Sequence, residues 1–273
     1  MMLPNRTVRE TKETKMISHL NVENLEIRYN VNAAEPAITG VNLEIKQGEF
    51  VTVIGPSGCG KSTLLHAMGG MLSPSSGGIY LDGIEMARPD PRQAAFVFQD
   101  YSLFPWKKVV DNVAMGLRFA GEDKKVALEK ARAELGFVGL ADKADKYPGE
   151  LSGGMQQRVA VARALALKPK FLLMDEPFGA LDEQTRRSLG QELTQILHDA
   201  GQSVVLITHS LEEAIFWADR IVVMKAGPGE ISKEIVVDEP WPRSLEFMTT
   251  ARFDDLRAEL FHRIQPTTAS EAK

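Results

Sequence analysis

The sequence predicts an α/β protein in which helices cover both faces of a parallel sheet. Two observations support this fold class. Short, wholly apolar runs recur along the chain, among them "FVTVI", "FLLM", "SVVLIT" and "IVVM", and segments of helical periodicity separate the later ones. Strands of this composition are buried on both faces, which is typical of parallel sheets. With 273 residues the chain is long enough to bury a large apolar core.

The N-terminal region is interpreted as several strands followed by one helix. Apolar runs alternate with polar or turn residues between positions 19 and 53, in "LNVENLEIRY", "GVNLEI" and "FVTVI", and this pattern favours strands. Over residues 62–71 the apolar spacing is helical, and the helix is expected to stop at Gly69, Gly70 and Pro74. The order is therefore strand, glycine-rich loop, helix.

The middle of the chain, from about residue 100 to 167, predicts a helical insert. Apolar residues recur there at helical spacing: Leu128, Ala131 and Leu135, then Met155, Val159, Ala162 and Ala166. Alternation of strands and helices resumes afterwards. "FLLM" precedes a helix whose apolar face carries Leu189, Leu193, Ile196 and Leu197, and "SVVLIT" and "IVVM" are the next strands.

Composition and charge argue against several classes of function. The formal net charge is −5 and the charges are interleaved, so no basic stripe suggests a nucleic-acid partner. The single cysteine, Cys59, excludes an internal disulfide. No apolar run is long enough to cross a bilayer. Residues 1–17 lack the apolar core of a secretory signal and are expected to form a disordered tail, with Met16 as an alternative start.

The stretch "GPSGCGKS" fits the pattern G-x-x-x-x-G-K-[S/T] and lies between an apolar strand and a helix, as a phosphate-binding loop requires. Its N–H groups and the helix dipole favour phosphate. Lys61 is expected to hold the β- and γ-phosphates and Ser62 to ligate Mg²⁺. A glycine turn before a helix is the alternative. The predicted nucleotide-binding residues are Gly55, Pro56, Ser57, Gly58, Cys59, Gly60, Lys61, Ser62 and Thr63.

Cys59 lies inside this loop, beside amides that should favour the thiolate and lower its pKa. Alkylation of the thiol is then expected to block nucleotide binding, and bound nucleotide to protect it. The alternative is a buried and inert thiol.

Polar residues follow three further apolar strands. Asp175 and Glu176 end "FLLMDE", where Asp175 is expected to hold Mg²⁺ and Glu176 to polarise the attacking water. His209 follows "VVLIT" and should emerge at the same edge of the sheet to contact the γ-phosphate, although a structural role is an equal alternative. Gln99 follows "AAFVF" and is a weaker candidate for sensing Mg²⁺ or the water.

The motifs and their order resemble the nucleotide-binding subunit of an ABC transporter. The resemblance runs from about residue 19 to 224 through Tyr29, "GPSGCGKST", Gln99, "LSGGMQQR", "FLLMDEP", "GALD" and His209. It implies a P-loop NTPase (RecA-like) core with an N-terminal antiparallel β-subdomain and an inserted α-helical subdomain. It also implies an ABC ATPase domain over residues 18–240, followed by a C-terminal helical extension or tail over 241–273.

The resemblance implies roles for further residues. Tyr29 would stack on the adenine of ATP, although a tyrosine at the end of a strand is more often a packing residue. Two subunits would face each other head to tail, so that the signature "LSGGMQQR" of one closes over ATP held by the other. The signature residues Ser152, Gly153 and Gly154 would bind the γ-phosphate across the dimer, and Asp182 of "GALD" would couple the two sites. Met155 replaces the commonest glutamine of this signature, whose contacts therefore do not carry over.

The finer resemblance is to ATPase subunits of importers for nitrate, aliphatic sulfonates and taurine. It implies permease partners in the membrane, an indirect solute-binding protein, and a peripheral position on the cytoplasmic side of the membrane. Phe104 and Trp106, in "FQDYSLFPW", are expected to contact the permease, and internal packing is the alternative for either residue. The competing functions are an ABC exporter, a non-transport ABC ATPase acting on nucleic acid or ribosomes, and a P-loop kinase, which would lack the signature and His209.

Overall fold

The computed structural model describes residues 19–30, 34–179 and 181–265. The predicted N-terminal tail of residues 1–17, including Met16, lies outside them. The strands are β1 His19–Ile27, β2 Ile38–Lys46, β3 Phe50–Ile54, β4 Ser76–Leu81, β5 Ile84–Glu85, β6 Ala94–Val97, β7 Phe171–Asp175, β8 Ser203–Ile207, β9 Arg220–Lys225 and β10 Glu230–Val236. The helices are α1 Lys61–Met68, α2 Val109–Phe119, α3 Lys124–Phe137, α4 Gly153–Leu165, α5 Glu183–Asp199, α6 Leu211–Trp217 and α7 Ala251–Ile264.

The larger sheet has six strands in the order β10-β9-β3-β8-β7-β6. All its pairings are parallel except β10 with β9. The parallel sheet predicted from the wholly apolar strands is therefore confirmed. Because β3, β7 and β8 run in the same direction, the loops that follow them meet at one edge of the sheet. These loops carry the glycine-rich stretch, the acidic pair and His209.

The smaller sheet is antiparallel, in the order β2-β1-β4-β5, which confirms the expected N-terminal β-subdomain. Apolar side chains of both sheets share a core with α1, to which that helix contributes Leu64, Leu65 and Met68. The helix after the glycine-rich loop is thereby held between two sheets. The helix ends at Met68, at the stop predicted from Gly69 and Gly70: Gly69 is the C-cap, and Gly70 follows in the left-handed region with a φ of 72°.

Helices α2, α3 and α4 form the helical region predicted between residues 100 and 167. They enclose a small core of their own, which contains Val113, Leu135 and Val159. Helix α4 is shared between two cores, because Val161 and Leu165 pack under the six-stranded sheet. This shared helix joins the helical region to the sheet.

The C-terminal part packs back on the six-stranded sheet. Phe253, Leu256 and Leu260 on α7 belong to the same core as the central strands. The buried guanidinium of Arg243 donates to the carbonyls of Ile215, Phe216 and Ala218 at the end of α6, and burial lowers the pKa of Arg243 to about 10. The domain division at residue 240 stays a prediction. In the part of the chain that the structure describes, no helix is long and apolar enough to cross a membrane.

Candidate active site

A cleft of about 300 Å³ lies at the edge of the six-stranded sheet where the glycine-rich loop leaves β3. Residues from separate parts of the chain line it: Tyr29, Ala37, Ser57, Gly58, Gly60, Lys61, Ser62, Thr63, Glu176 and His209. The fold thus brings together most of the nucleotide-binding residues predicted from the sequence.

Gly60 shapes the start of α1. Its φ of 91° lies in the left-handed region, and a Cβ atom there would stand 2.3 Å from Cγ2 of Ile38. Only glycine fits this position without strain or displacement of the β-subdomain. The Gly60 carbonyl accepts the N–H of Leu64 at 2.9 Å, which begins the helix immediately after the loop. The free N–H groups of the first helical turn are thereby directed to the cleft.

Lys61 supplies the positive charge of the cleft. Its side chain crosses under the loop, where Nζ donates to the carbonyl oxygens of Gly55 at 3.0 Å and Pro56 at 3.1 Å. The residue is 6% exposed. Among the described residues no carboxylate forms an ion pair with this buried ammonium group, and a phosphate oxygen would provide a compensating anion.

The lowered pKa predicted for Cys59 is wrong, whereas the expected effect of its alkylation on nucleotide binding stays a prediction. The side chain is fully buried in the core shared by the two sheets rather than turned to the cleft. Burial raises the pKa of the Cys59 thiol, and the nearby Lys61 charge opposes this effect only in part. Cys59 is also not among the described residues that line the cleft. Cys59 is therefore packed in the core, as the alternative interpretation expected.

Two oxygen-bearing side chains converge beside Lys61. Ser62 Oγ lies 3.3 Å from Oδ1 of Asp175, which ends β7. A hydroxyl and a carboxylate are hard oxygen ligands of the kind that Mg²⁺ takes together with phosphate oxygens and water. The pair therefore fits a magnesium ion, because both ligands are oxygen atoms.

Glu176 adopts a backbone conformation that is unusual for a residue with a side chain. Its φ is 45°, a region that costs free energy and is found at functional sites. Two hydrogen bonds maintain it: Glu176 N–H donates to the Ile207 carbonyl at 3.1 Å, and its carbonyl accepts the Gly179 N–H at 3.0 Å. The turn brings Oε1 of Glu176 to 2.5 Å from Nε2 of His209. A carboxylate and an imidazole thus meet at the edge of the cleft.

Gln99 lies in an adjacent recess of about 220 Å³ rather than in the cleft itself. It shares the recess with Glu176 and His209. Its amide packs against Gly179 in the loop after Glu176: a Cβ built on Gly179 would lie only 3.1 Å from Nε2 of Gln99. Gln99 is therefore close to Glu176 and His209. Its role as a sensor of metal or water stays a prediction.

Tyr29 stands at the mouth of the cleft. Its hydroxyl is 2.8 Å from Oγ1 of Thr63, and the residue is 68% exposed. An exposed ring tethered at its hydroxyl presents a flat apolar face to solvent, which suits an aromatic base. Stacking on adenine remains a prediction from the resemblance.

The signature stretch does not join the cleft of its own chain. Ser152 caps α4, its Oγ accepting the Met155 N–H at 3.4 Å, and the described residues that line the cleft include none from "LSGGMQQR". Gly154 allows α4 to approach α5 closely, since a Cβ there would lie 3.2 Å from Leu189. Asp182 caps α5 through the Thr185 N–H, and this bond lowers the pKa of the Asp182 carboxyl.

Two residues beside His209 escaped the sequence analysis. Thr208 donates its hydroxyl hydrogen to Oε2 of Glu213, and Glu213 lines the recess that holds Gln99. The available signal was the Ser-x-x-Glu spacing of Ser210 and Glu213, which marks the start of a helix.

The fold and the site together define a P-loop nucleoside-triphosphate hydrolase: a strand, a glycine-rich loop with a buried lysine, and a strand that ends in two carboxylates at the same sheet edge. The family model for ABC transporters matches residues 38–179, and the chain belongs to that family.

Relatives of this chain include ATP-binding subunits of importers. The chain is 46% identical over 229 residues to the nitrate import ATP-binding protein NrtD of Synechococcus elongatus, a match that covers 82% of both chains. It is also 46% identical over 233 residues to NrtC of that organism, covering 84% of this chain but 35% of NrtC. The bicarbonate transport ATP-binding protein CmpC of a Synechocystis strain is 46% identical over 83% of this chain and 34% of its own length.

Solved structures of similar fold are ABC cassettes. A dimeric ATP-binding cassette in a post-hydrolysis state, bound to ADP and Pi, matches with a TM-score of 0.69 and 34% identity over 81% of this chain and 100% of its own. CbiO1 from Clostridium perfringens, part of the ABC transporter complex cbiONQ, matches with a TM-score of 0.73 and 27% identity over 89% of this chain and 96% of its own. The chain is thus an ABC-type ATPase, the ATP-binding subunit of a transporter.

Proposed function

We propose that this subunit powers the import of a small solute of the nitrate, sulfonate or taurine type through separate permease subunits. The observation that carries the proposal is the 46% identity to a nitrate import ATP-binding protein over 82% of both chains. The similarity to a bicarbonate transport protein favours bicarbonate as a second candidate. Nitrate and bicarbonate are both small oxyanions, so both belong in the same test.

In the proposed reaction, water attacks the γ-phosphorus of ATP and yields ADP and phosphate. Lys61 would bind the β- and γ-phosphate oxygens, and Ser62 and Asp175 would hold Mg²⁺, which would neutralise phosphate charge when bound. Glu176 accepts a hydrogen bond from the attacking water and orients it. His209, paired with Glu176 in this structure, donates a hydrogen bond to the γ-phosphate and stabilises the charge that develops there.

The signature would act on a second copy of the chain. Ser152 caps α4, and a helix N-terminus is the chemistry of an anion site, yet the described residues that line the cleft of its own chain include none from this helix start. A head-to-tail dimer places this helix start over the ATP held by the partner. ATP binding then closes the dimer, and hydrolysis with phosphate release lets it open.

An apolar groove of about 730 Å³ supports docking to a permease. It lies between the helical region and β6, and Met71, Phe104 and Phe119 are among the residues that line it. Trp106 packs on Phe104 edge to face, with ring centroids 5.6 Å apart, and is 71% exposed. Exposed aromatic groups at a groove are typical anchors for a partner helix. The subunit would then lie at the cytoplasmic face of the membrane without crossing it.

Affinity purification from native membranes tests this proposal. We expect a permease and a solute-binding protein to co-purify, and nitrate, bicarbonate, a sulfonate or taurine with that binding protein to stimulate ATP hydrolysis. Trp106→Ala should weaken the association with the permease, whereas the exposed Phe137 on α3 offers a matched control, Phe137→Ala, that should not. Co-purification of nucleic-acid machinery alone would exclude transport. A permease without a binding protein, stimulated by solute from the cytoplasmic side, would indicate export.

A further inference from the structure

The loop that carries His209 is closed by three hydrogen bonds. Thr208 donates its hydroxyl hydrogen to Oε2 of Glu213. The N–H of Ser210 donates to Oγ1 of Thr208 at 3.1 Å. Oγ of Ser210 accepts the N–H of Glu213 at 3.2 Å. His209 is the one residue between the two anchored positions.

This arrangement modifies an ordinary capping box. In a capping box the carboxylate at the third helical position reaches back to the N–H of the capping residue. Here Thr208 Oγ1 stands between them, accepting from Ser210 N–H and donating to Glu213. The start of α6 is therefore tied to the last residue before His209, and a change in either bond moves the backbone on one side of the imidazole.

The charged neighbours of Glu213 connect the hydrogen bonds around His209 with the candidate active site. Glu213 lines the same recess as Glu176, His209 and Arg186. Burial raises the pKa of Glu213, the nearby Glu176 raises it further, and the Thr208 hydroxyl and Arg186 oppose the rise. Arg186 also donates to the Phe178 carbonyl at 3.2 Å in the loop that leads to Asp182. The recess thus couples the His209 loop with the loop after Glu176.

We propose that Thr208 and Glu213 are positioning residues for ATP hydrolysis, which hold the backbone on both sides of His209 so that its imidazole stays beside Glu176. This inference rests on ATP hydrolysis at the proposed site and is independent of the solute transported. Neither side chain touches the cleft that would hold the nucleotide, so both act through His209.

Two substitutions at Thr208 separate its hydroxyl from its shape. Thr208→Val keeps the buried volume and removes the hydroxyl, and Thr208→Ser keeps the hydroxyl. We expect Val to lower kcat by about 10- to 100-fold, as a small misplacement of a reacting group does. The KM for ATP should change by less than about twofold, and Ser should stay near the wild-type rate.

A second readout follows His209 itself. The chain has five histidines, and ¹⁵N-histidine labelling with His209→Ala identifies the resonances of this ring. In Thr208→Val and Glu213→Ala the His209 signals should shift or broaden, while those of the other histidines stay in place. Glu213→Gln, which retains an acceptor for the Thr208 hydroxyl, should restore both the signals and most of the rate. Because both changes break the same bond, Thr208→Val combined with Glu213→Ala should lower kcat no further than the more damaging single change.

Several results would overturn the proposal. They are a wild-type kcat in Thr208→Val, an equal loss in Thr208→Ser, or a fall in kcat with unmoved His209 resonances. Thermal unfolding of each variant identifies any that fail to fold. If Thr208→Val does not fold, Glu213→Ala tests the same hydrogen bond by removing its acceptor. A wild-type chain without nucleotide hydrolysis would instead refute the ATPase assignment.

Discussion

Mixing two inactive variants tests whether the signature acts on the nucleotide of a second subunit. Lys61→Ala removes the ammonium group that donates beneath the glycine-rich loop. Ser152→Asp places a negative charge at the start of α4, where it would repel the γ-phosphate. Aspartate caps a helix about as well as serine does, so α4 keeps the cap that Ser152 makes with Met155. Ser152→Asn is the neutral control for the added side-chain volume.

The size of the effect follows from counting sites. In a head-to-tail dimer, each site combines Lys61 of one chain with Ser152 of the other. Each variant alone therefore has a defect in both sites. A mixed dimer has one doubly defective site and one intact site, so a preparation isolated with two different tags should reach at most about half of the wild-type kcat if the sites are independent. Random pairing of equal amounts makes half of the dimers mixed, and about a quarter of the rate remains.

A second pairing reverses the expectation. When one chain carries both substitutions and its partner is wild type, both composite sites are defective, whereas sites within single chains would leave one intact. The assay is phosphate release at saturating ATP, with nucleotide-dependent dimerisation scored alongside in case both sites must act together. If verified mixed dimers show neither hydrolysis nor dimerisation, or if the reversed pairing is the active one, the head-to-tail arrangement is wrong.

Three further predictions concern single positions. Glu176→Gln should keep ATP binding and lower kcat by about 10²- to 10⁴-fold, because the amide cannot polarise water; ATP-bound dimers should accumulate on size exclusion, and near-normal turnover would remove Glu176 from catalysis. Cys59 should react with iodoacetamide at pH 8 far more slowly in the folded chain than in denaturant, because burial raises its pKa and keeps the thiol neutral; equal rates, as measured by mass spectrometry, would contradict its burial. Gly190→Ala should destabilise the fold by about 1–3 kcal/mol through overpacking, since its Cβ would stand 2.2 Å from Trp217. Its control, Gly136→Ala, meets nothing within 4 Å and should stabilise by up to about 1 kcal/mol; denaturant titrations with the same sign for both would refute this argument.

The sequence predicted the central features of the fold because they depend on local or repeating patterns. Short apolar runs indicated a parallel sheet, and they make up most of β3, β7, β8 and β9. Strands β4 and β5 gave no comparable signal, since "SGGIYL" has two glycines after its first serine and β5 has only two residues. Helix α7 was expected only as a helical extension or tail without bounds, because charged residues separate its apolar ones.

The types and order of the reacting groups were readable in the chain itself. A phosphate loop is a contiguous motif whose backbone conformation depends on its own glycines, so Gly60 and Lys61 could be assigned from spacing alone. The signature was likewise a contiguous match, with Ser152 at a helix start. These assignments need no knowledge of which distant residues become neighbours.

The contacts between distant residues depend instead on how the strands pair. The register that places Asp175 opposite Ile207 brings the residue after each strand to the same edge, and it is this register that sets Glu176 beside His209. The left-handed turn at Glu176, the bond from Thr208 to Glu213 and the inward position of Cys59 likewise follow from packing against other elements. Sequence spacing carries no information on which side of a loop a thiol faces, because that choice is made by the free energy of burying it between two sheets.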